Sequence, residues 1–378
     1  MGHSGRTDAD GPAYGDSTRA VAAVGAEAVA GQPIGGVPVP ASAFHLSSDE
    51  GAEPHTYGRQ SSPGWDRLES ALSRLEGAAA AVAFSSGMAA VTAALRTLAR
   101  PGTVLAVPSD GYLQVRRYAT ESLAPLGVTV REAGAAQFCD AAEGADLVFA
   151  ETPTNPGLDV VDLSRLASIC RRRGSRLVVD NTTATPLGQQ PLSLGADLVV
   201  GSATKALAGH SDVLAGYVAG NDADLMAAVA AERLLGGAVL GAFEAWLVLR
   251  GVGSFGLRFE RQCQNALAIA TALQGHPRVR AVRYPGLPGD PAHAAAADQM
   301  RRFGSLVSVE LADARAVHAL VERSALLVGA TSFGGLHTTV DRRARWGDRV
   351  PDGFARISAG IEDTDDLVSD LGRALDGC

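Results

Sequence analysis

Gly201-Ser202-Ala203-Thr204-Lys205-Ala206-Leu207-Ala208-Gly209-His210-Ser211-Asp212 holds the one lysine in a chain of 378 residues; every other Lys or Arg position is arginine. Arginine therefore meets the needs of solubility and surface pairing, and an amine has been kept where a guanidinium would have served electrically. An amine does one thing a guanidinium cannot: once desolvated it loses its proton and adds to a carbonyl to form a Schiff base. Ser202 and Thr204 place hydroxyls just before it, at a spacing suited to holding an anion beside the amine. The pattern points to an aldehyde cofactor bearing a phosphate, pyridoxal phosphate, held on Lys205. On uniqueness alone, a lysine surviving by chance in an arginine-biased sequence fits as well.

The residues on either side decide between these readings. Apolar runs at 104–107, 128–130, 147–150, 177–179 and 198–200 alternate with helix-length segments. That alternation predicts an α/β fold with a mainly parallel sheet and helices on both faces. In such sheets ligands sit at the carboxyl ends of the strands. The polar residues fall there: Ser109, Asp110 and Tyr112 after the first run, Glu151, Thr152, Thr154 and Asn155 after the third, Asp180 and Asn181 after the fourth. A carboxylate beside the amine would keep a pyridinium nitrogen protonated, making the ring an electron sink. Asp180 fits that role; the ordinary alternative is a turn cap.

Further upstream, the apolar run 81–84 breaks at Ser85-Ser86-Gly87-Met88 and continues as an Ala/Leu helix. Open N–H groups at such a start bind anions, although many helices begin with a Ser cap and nothing bound. Residues 1–60 read as an arm rich in Gly, Ala, Pro and Ser, with a helical pattern over 17–30 and extended chain after Pro33. An arm with so little core is disordered or laid on a partner. It ends at Tyr57-Gly58-Arg59, where Arg59 could take a phosphate by its fork and Tyr57 could add a hydroxyl; an exposed Arg beside a packed Tyr is the plainer reading. Residues 61–235 form the α/β cofactor domain. Residues 236–378 read as a smaller α+β domain with helices over 240–250 and 257–273, strands near 306–311 and 356–358, and a last helix over 364–375. Arg356 inside an alternating strand needs a carboxylate, either Glu362 or that of a substrate.

Composition bounds the function. A net charge of −8 and a pI near 5.5, with no arginine face interleaved with aromatics, exclude a nucleic-acid partner. The run Arg171-Arg172-Arg173 reads as a helix end, where cations oppose the dipole. Cys139, Cys170, Cys263 and Cys378 lack metal or redox spacing and read as free thiols, with no metal expected. No apolar run has membrane-spanning length and no signal core is visible, so the expected location is cytoplasmic.

Taken together, Phe84-Ser85-Ser86-Gly87-Met88, Glu151-Thr152-Pro153-Thr154-Asn155-Pro156, Val179-Asp180-Asn181-Thr182, Ser202-Ala203-Thr204-Lys205, Gly209-His210-Ser211-Asp212, Tyr284-Pro285-Gly286-Leu287 and Arg356-Ile357-Ser358-Ala359-Gly360-Ile361-Glu362 resemble the Cys/Met-metabolism pyridoxal-phosphate enzymes. This trans-sulfuration family includes cystathionine γ-lyase, cystathionine γ-synthase, methionine γ-lyase and the O-acylhomoserine sulfhydrylases. The resemblance runs from Gly15 to the end. It implies a fold-type-I transferase with a seven-stranded sheet, and a homotetramer built from catalytic dimers. It makes Lys205 the cofactor lysine and proton carrier and pairs Asp180 with the pyridinium. Tyr112 would stack on the ring and serve as acid or base, Asn155 would sit at its 3-oxygen, and Ser86, Gly87, Met88, Ser202 and Thr204 would hold the phosphate. Tyr57 and Arg59 would reach the phosphate of a neighbouring subunit. Arg356 and Ser332 would grip the substrate carboxylate, with Arg117 at a distal carboxylate.

The implied reaction is γ-elimination by a carbon–sulfur lyase, L-cystathionine giving L-cysteine, 2-oxobutanoate and ammonia. γ-Replacement by a synthase or sulfhydrylase comes second, then methionine γ-lyase, and outside the enzymes an inactive scaffold. A nucleotide-binding oxidoreductase lacks its G-x-G-x-x-G. The chain departs from the family near the expected leaving-group pocket. Ser62-Pro63-Gly64 replaces Asn-Pro-Thr, Thr56 and Thr331 stand where cystathionine γ-lyases carry Glu, Gln114 stands where methionine γ-lyases carry Cys, and an Arg-rich stretch at 338–346 replaces a His-Pro-Ala segment.

Overall fold

Strands buried on both faces read as continuous apolar runs, and such runs supply the larger sheet. The structure is a computed structural model that describes residues 14–25, 30, 31, 33–48, 51 and 53–377. Its larger sheet contains β1 (Ala80–Phe84), β2 (Val104–Pro108), β3 (Thr129–Ala133), β4 (Leu147–Glu151), β5 (Arg176–Asp180), β6 (Leu198–Gly201) and β7 (Gly216–Gly220) in the order β1-β7-β6-β5-β4-β2-β3. Only β7 runs against its neighbours, β1 and β6. Helices α1 (Asp16–Val24), α2 (Pro63–Glu76), α3 (Gly87–Leu98), α4 (Leu113–Tyr118), α5 (Phe138–Ala142), α6 (Leu163–Arg173), α7 (Thr185–Gly188) and α8 (Ala223–Gly236) accompany it.

Alternate side chains of a strand point to opposite faces. Leu147 and Phe149 of β4 accordingly join Phe84, Val91 and Leu95 on one side, while Val148 and Ala150 join Phe138 and Leu166 on the other. The arginine run at 171–173 does end a helix, α6, which stops at Gly174 with φ 71°. Cys139, Cys170 and Cys263 are free thiols, and Cys378 lies outside the described residues.

The carboxyl-terminal part adds α9 (Ala242–Val252), α10 (Phe255–Leu273), α11 (His293–Gln299), α12 (Ala314–Arg323) and α13 (Thr364–Asp376). Its own sheet contains β8 (Ala281–Arg283), β9 (Leu306–Glu310), β10 (Val328–Gly329), β11 (Thr339–Arg342) and β12 (Phe354–Ser358), in the order β10-β11-β12-β9-β8. Ile269, Leu273, Val307, Ile357 and Leu371 give it a separate core.

One expectation about the arm needs correction. The first helix ends at Val24, because Gly25 turns extended at φ −57° and ψ 137°, rather than running to residue 30. It also docks on its own chain: Asp16 pairs with Arg302 at 2.8 Å, and Arg19 donates to the Leu75 carbonyl at 3.2 Å. Beyond it, Trp246 donates to the Gly36 carbonyl at 2.7 Å. No helix among the described residues is long and apolar enough to cross a membrane.

Candidate active site

The carboxyl ends of β1, β2, β4, β5 and β6 face a cavity of about 510 Å3, closed on the far side by residues 331–333, Arg343, Trp346 and Arg356 from the smaller sheet and its loops. Lys205 lies in the turn after β6. Its amine donates to Ser332 Oγ at 2.7 Å and sits 5.0 Å over the Phe333 ring. Burial, followed by the positive charges of Arg356 and Arg343, lowers its pKa to about 8, with Asp180 opposing. An unprotonated amine, the nucleophilic form, is therefore within reach near neutral pH.

Ser332 holds this position at a cost in backbone strain, with φ 75°. Two residues on, Gly334 has φ 78°, and a Cβ there would fall 2.6 Å from the Ala206 nitrogen. Only glycine lets this loop press on the lysine turn.

Asp180 stands at the end of β5, buried. Its Oδ1 accepts from the Thr182 N–H at 2.9 Å, so the turn-cap role and the cavity position coexist. The Thr182 hydroxyl accepts from the Ser202 N–H at 2.8 Å and turns its proton to the carboxylate. Burial raises the Asp180 pKa, and these two Thr182 hydrogen bonds and Lys205 pull it back toward the anion. Glu151 ends β4 and is raised well above the carboxylate range by burial and then by Asp180. It accepts from the N–H groups of Tyr112 at 2.6 Å and Asn155 at 2.7 Å, and so fixes both of the loops that face Lys205.

At the start of α3, Ser86 caps the helix, taking the N–H of Ala89 at 3.1 Å and that of Ala90 through its carbonyl. The first-turn N–H groups of a helix have no acceptor within it. Those of Gly87 and Met88 are left toward the cavity that both residues line. A Cβ on Gly87 would stand 2.8 Å from that of Ser202, so the two loops meet only with glycine there. Ser202 also lines the cavity, whereas Thr204 has committed its hydroxyl, donating to the Ala215 carbonyl at 3.1 Å and accepting from its N–H at 3.0 Å.

Arg356 is buried on β12. It donates to Asn155 Oδ1 at 2.6 Å and to the Ser332 carbonyl at 2.8 Å, with Asp341 at 3.7 Å. Glu362 is not its partner; that carboxylate takes the Thr338 N–H at 2.6 Å and hydroxyl at 2.9 Å instead. Among the described residues no acceptor meets the buried Arg356 Nε. Arg343, the second arginine of the cavity, is saturated by Asp341 at 2.7 Å and Asp348 at 2.7 Å.

The cavity brings together Ser86, Gly87, Met88, Tyr112, Asn155, Asp180, Ser202, Thr204, Lys205, Ser332 and Arg356. Three residues lie elsewhere. Tyr57 and Arg59 face a groove beside Phe243, Arg59 reaching the Leu234 carbonyl at 3.3 Å. Arg117 is exposed, pairs with Glu121 at 2.9 Å and lines a neighbouring depression with Met88 and Gln114. Sequence reasoning gave no role to Glu151, Thr182, Phe333, Arg343 or Trp346. The Arg-rich departure at 338–346 was the signal for the last two.

Residues 36–376 match the family described as Cys/Met metabolism PLP-dependent enzyme. A Streptomyces coelicolor protein named "Putative cystathionine gamma-lyase" is 47% identical, over 99% of this chain and 96% of its own length. A cystathionine gamma-synthase of Mycobacterium tuberculosis is 40% identical over 84% of this chain and 86% of its own. The crystal structure of a cystathione gamma lyase from Micromonospora echinospora superposes with a TM-score of 0.88 at 38% identity, covering 96% of this chain and 99% of that one. Since the family match spans nearly the whole chain and a relative is alike from end to end, the chain belongs to the Cys/Met-metabolism enzymes and pyridoxal phosphate is its cofactor.

Proposed function

We propose that the protein is a cystathionine γ-lyase, taking L-cystathionine and one water to L-cysteine, 2-oxobutanoate and ammonia. The observation that carries the proposal is the Lys205 amine, placed against Ser332 inside a cavity that also contains Asp180 and Arg356. The residues fit the cofactor. A helix start with two open N–H groups suits a phosphate, a Gly87 cradle keeps that corner free of side chain, and a buried carboxylate stands within the influence of the amine. When bound, pyridoxal phosphate supplies an aldehyde for the substrate amine and a ring that accepts electrons from its α-carbon.

On this reading Asp180 holds a proton at the ring nitrogen, and the Thr182 hydrogen bonds keep it anionic. Gly87, Met88, Ser86 and Ser202 hold the phosphate, while Thr204 ties the lysine turn to Ala215, just before β7. Asn155 has its oxygen turned to Arg356, which leaves its NH2 for the 3-oxygen. Tyr112, whose phenol burial keeps protonated, covers the ring. Arg356 offers Nε to the substrate carboxylate. The Lys205 amine takes the α-proton and carries it onward. Tyr57 and Arg59, outside the cavity of their own chain, complete the phosphate site of a second copy, so the working unit is at least a dimer.

The 40% identity to a named γ-synthase favours γ-replacement as the second reading. Product analysis separates them. A lyase releases 2-oxobutanoate from cystathionine alone, whereas a synthase makes cystathionine from O-succinylhomoserine and cysteine and releases little oxoacid from cystathionine.

A further inference from the structure

Asp341 is the centre of a cluster that the reaction does not use directly. It lies on β11 opposite Arg356 of β12, and directly opposed residues of an antiparallel pair share a face. Its side chain is 4% exposed. Oδ2 accepts from Arg343 Nη1 at 2.7 Å and stands 3.7 Å from Arg356 Nη2, while Oδ1 accepts from the Trp346 indole N–H at 2.9 Å. Arg343, Trp346 and Arg356 all line the cavity; Asp341 does not. One buried carboxylate behind the wall thus holds three of its residues.

The three differ in what they can offer. Asp348 takes Arg343 Nε at 2.8 Å and Nη2 at 2.7 Å, and Asp341 takes Nη1, so Arg343 acts as a strut with its charge balanced. Arg356 keeps its Nε without an acceptor among the described residues. Trp346 is oriented by its indole bond to Asp341 and is half exposed, with Arg345 stacked 5.0 Å over it. Beyond Arg356 the cavity offers Trp346, Phe333, Leu214 and Leu113.

We propose that Asp341 is a positioning residue that sets, from one point, both the carboxylate-binding Arg356 and an apolar wall, Trp346, against which the substrate side chain packs beyond its β-carbon. Trp346 is then a specificity residue for length and apolarity. The proposal rests on Arg356 as the carboxylate site but not on which γ-substituent leaves. Failure of the lyase assignment would appear as absent 2-oxobutanoate and would leave the binding measurements intact.

The test uses unreactive amino acids on the holoenzyme, with dissociation constants read from the change in cofactor absorbance. L-Alanine reports the carboxylate site alone; L-norleucine reports carboxylate site plus wall. Trp346→Ala is expected to weaken L-norleucine about tenfold, the worth of roughly two methylenes against an apolar wall, with L-alanine unchanged. Asp341→Asn is expected to weaken both, L-norleucine more. Asp348→Asn removes an equally buried partner of Arg343 without touching Trp346 or Arg356, and is expected to preserve the ratio of the two constants. Equal losses for both ligands in Trp346→Ala would overturn the wall. Loss of the ratio in Asp348→Asn to the same degree as in Asp341→Asn would overturn the positioning role, reducing the cluster to general stability. Unchanged binding in Asp341→Asn would do so too.

Discussion

The two sides of the cavity are built by different means. The cofactor side stands on the strand ends of the larger sheet and is held by backbone: Glu151 grips two N–H groups, Ser86 and Thr204 bond main chain, and glycine allows two loops to touch. The substrate side stands on the smaller sheet and is held by charge, with Asp341 and Asp348 around Arg343 and Arg356. Each of these bonds joins one side chain to main chain and is lost only when Glu151, Ser86 or Thr204 itself is changed. A buried ion cluster is more fragile, because removing one member leaves the others desolvated and unpaired. Chemistry is therefore expected to be robust on one side, and substrate choice to be adjustable on the other.

The largest effect is expected at the amine. Lys205→Ala should lower turnover by a factor of ~10³ or more, since proton carrier and nucleophile are lost together, while phosphate-dependent cofactor binding persists in equilibrium dialysis. Next is Arg356→Lys, which keeps the charge and loses the fork. It should lower kcat/KM about 10²-fold, chiefly through KM; an effect on kcat alone would place Arg356 in the chemistry instead.

A pH experiment probes the cofactor side. With the pKa of Lys205 at about 8, the rate at which cofactor-free protein takes up pyridoxal phosphate should level off above that pH and fall about tenfold per unit below it, because only the unprotonated amine adds. For stability the sign follows from the same shift. Between about 8 and the unfolded value of 10.5 the unfolded chain holds the extra proton, so the cofactor-free protein should gain stability as pH rises through that window. The smallest effect is expected at Arg117, outside the cavity and already paired. Arg117→Ala should raise KM for cystathionine only about threefold, the worth of an exposed charge, and leave a substrate without a distal carboxylate unaffected.

The same contrast explains what could be read in advance. Parallel strands buried on both faces are continuous apolar runs, so β2, β4, β5 and β6 and the polar residues at their ends were visible without coordinates. β7, the sequence Gly-Tyr-Val-Ala-Gly, was not: five residues bounded by glycine resemble a turn, and only close packing requires the glycines, Gly216 lying against the Ser86 carbonyl. The smaller sheet hid more. Its β10 has two residues and β11 four, too short for periodicity to register. Arg356 was recognised as needing a carboxylate, that of Glu362 or of a substrate, whereas cross-strand pairing supplies Asp341. Pairing across a sheet is non-local and leaves no mark in the spacing of residues.

Every proposed step depends on Lys205 holding the cofactor, and a chain with one lysine permits a direct check. The purified holoenzyme is reduced with borohydride, digested, and its peptides sequenced by mass spectrometry. The pyridoxyl group is predicted on the peptide containing Lys205 and nowhere else. A reduced protein whose Lys205 peptide is unmodified, with the cofactor released on denaturation or found on the terminal amine, would contradict it.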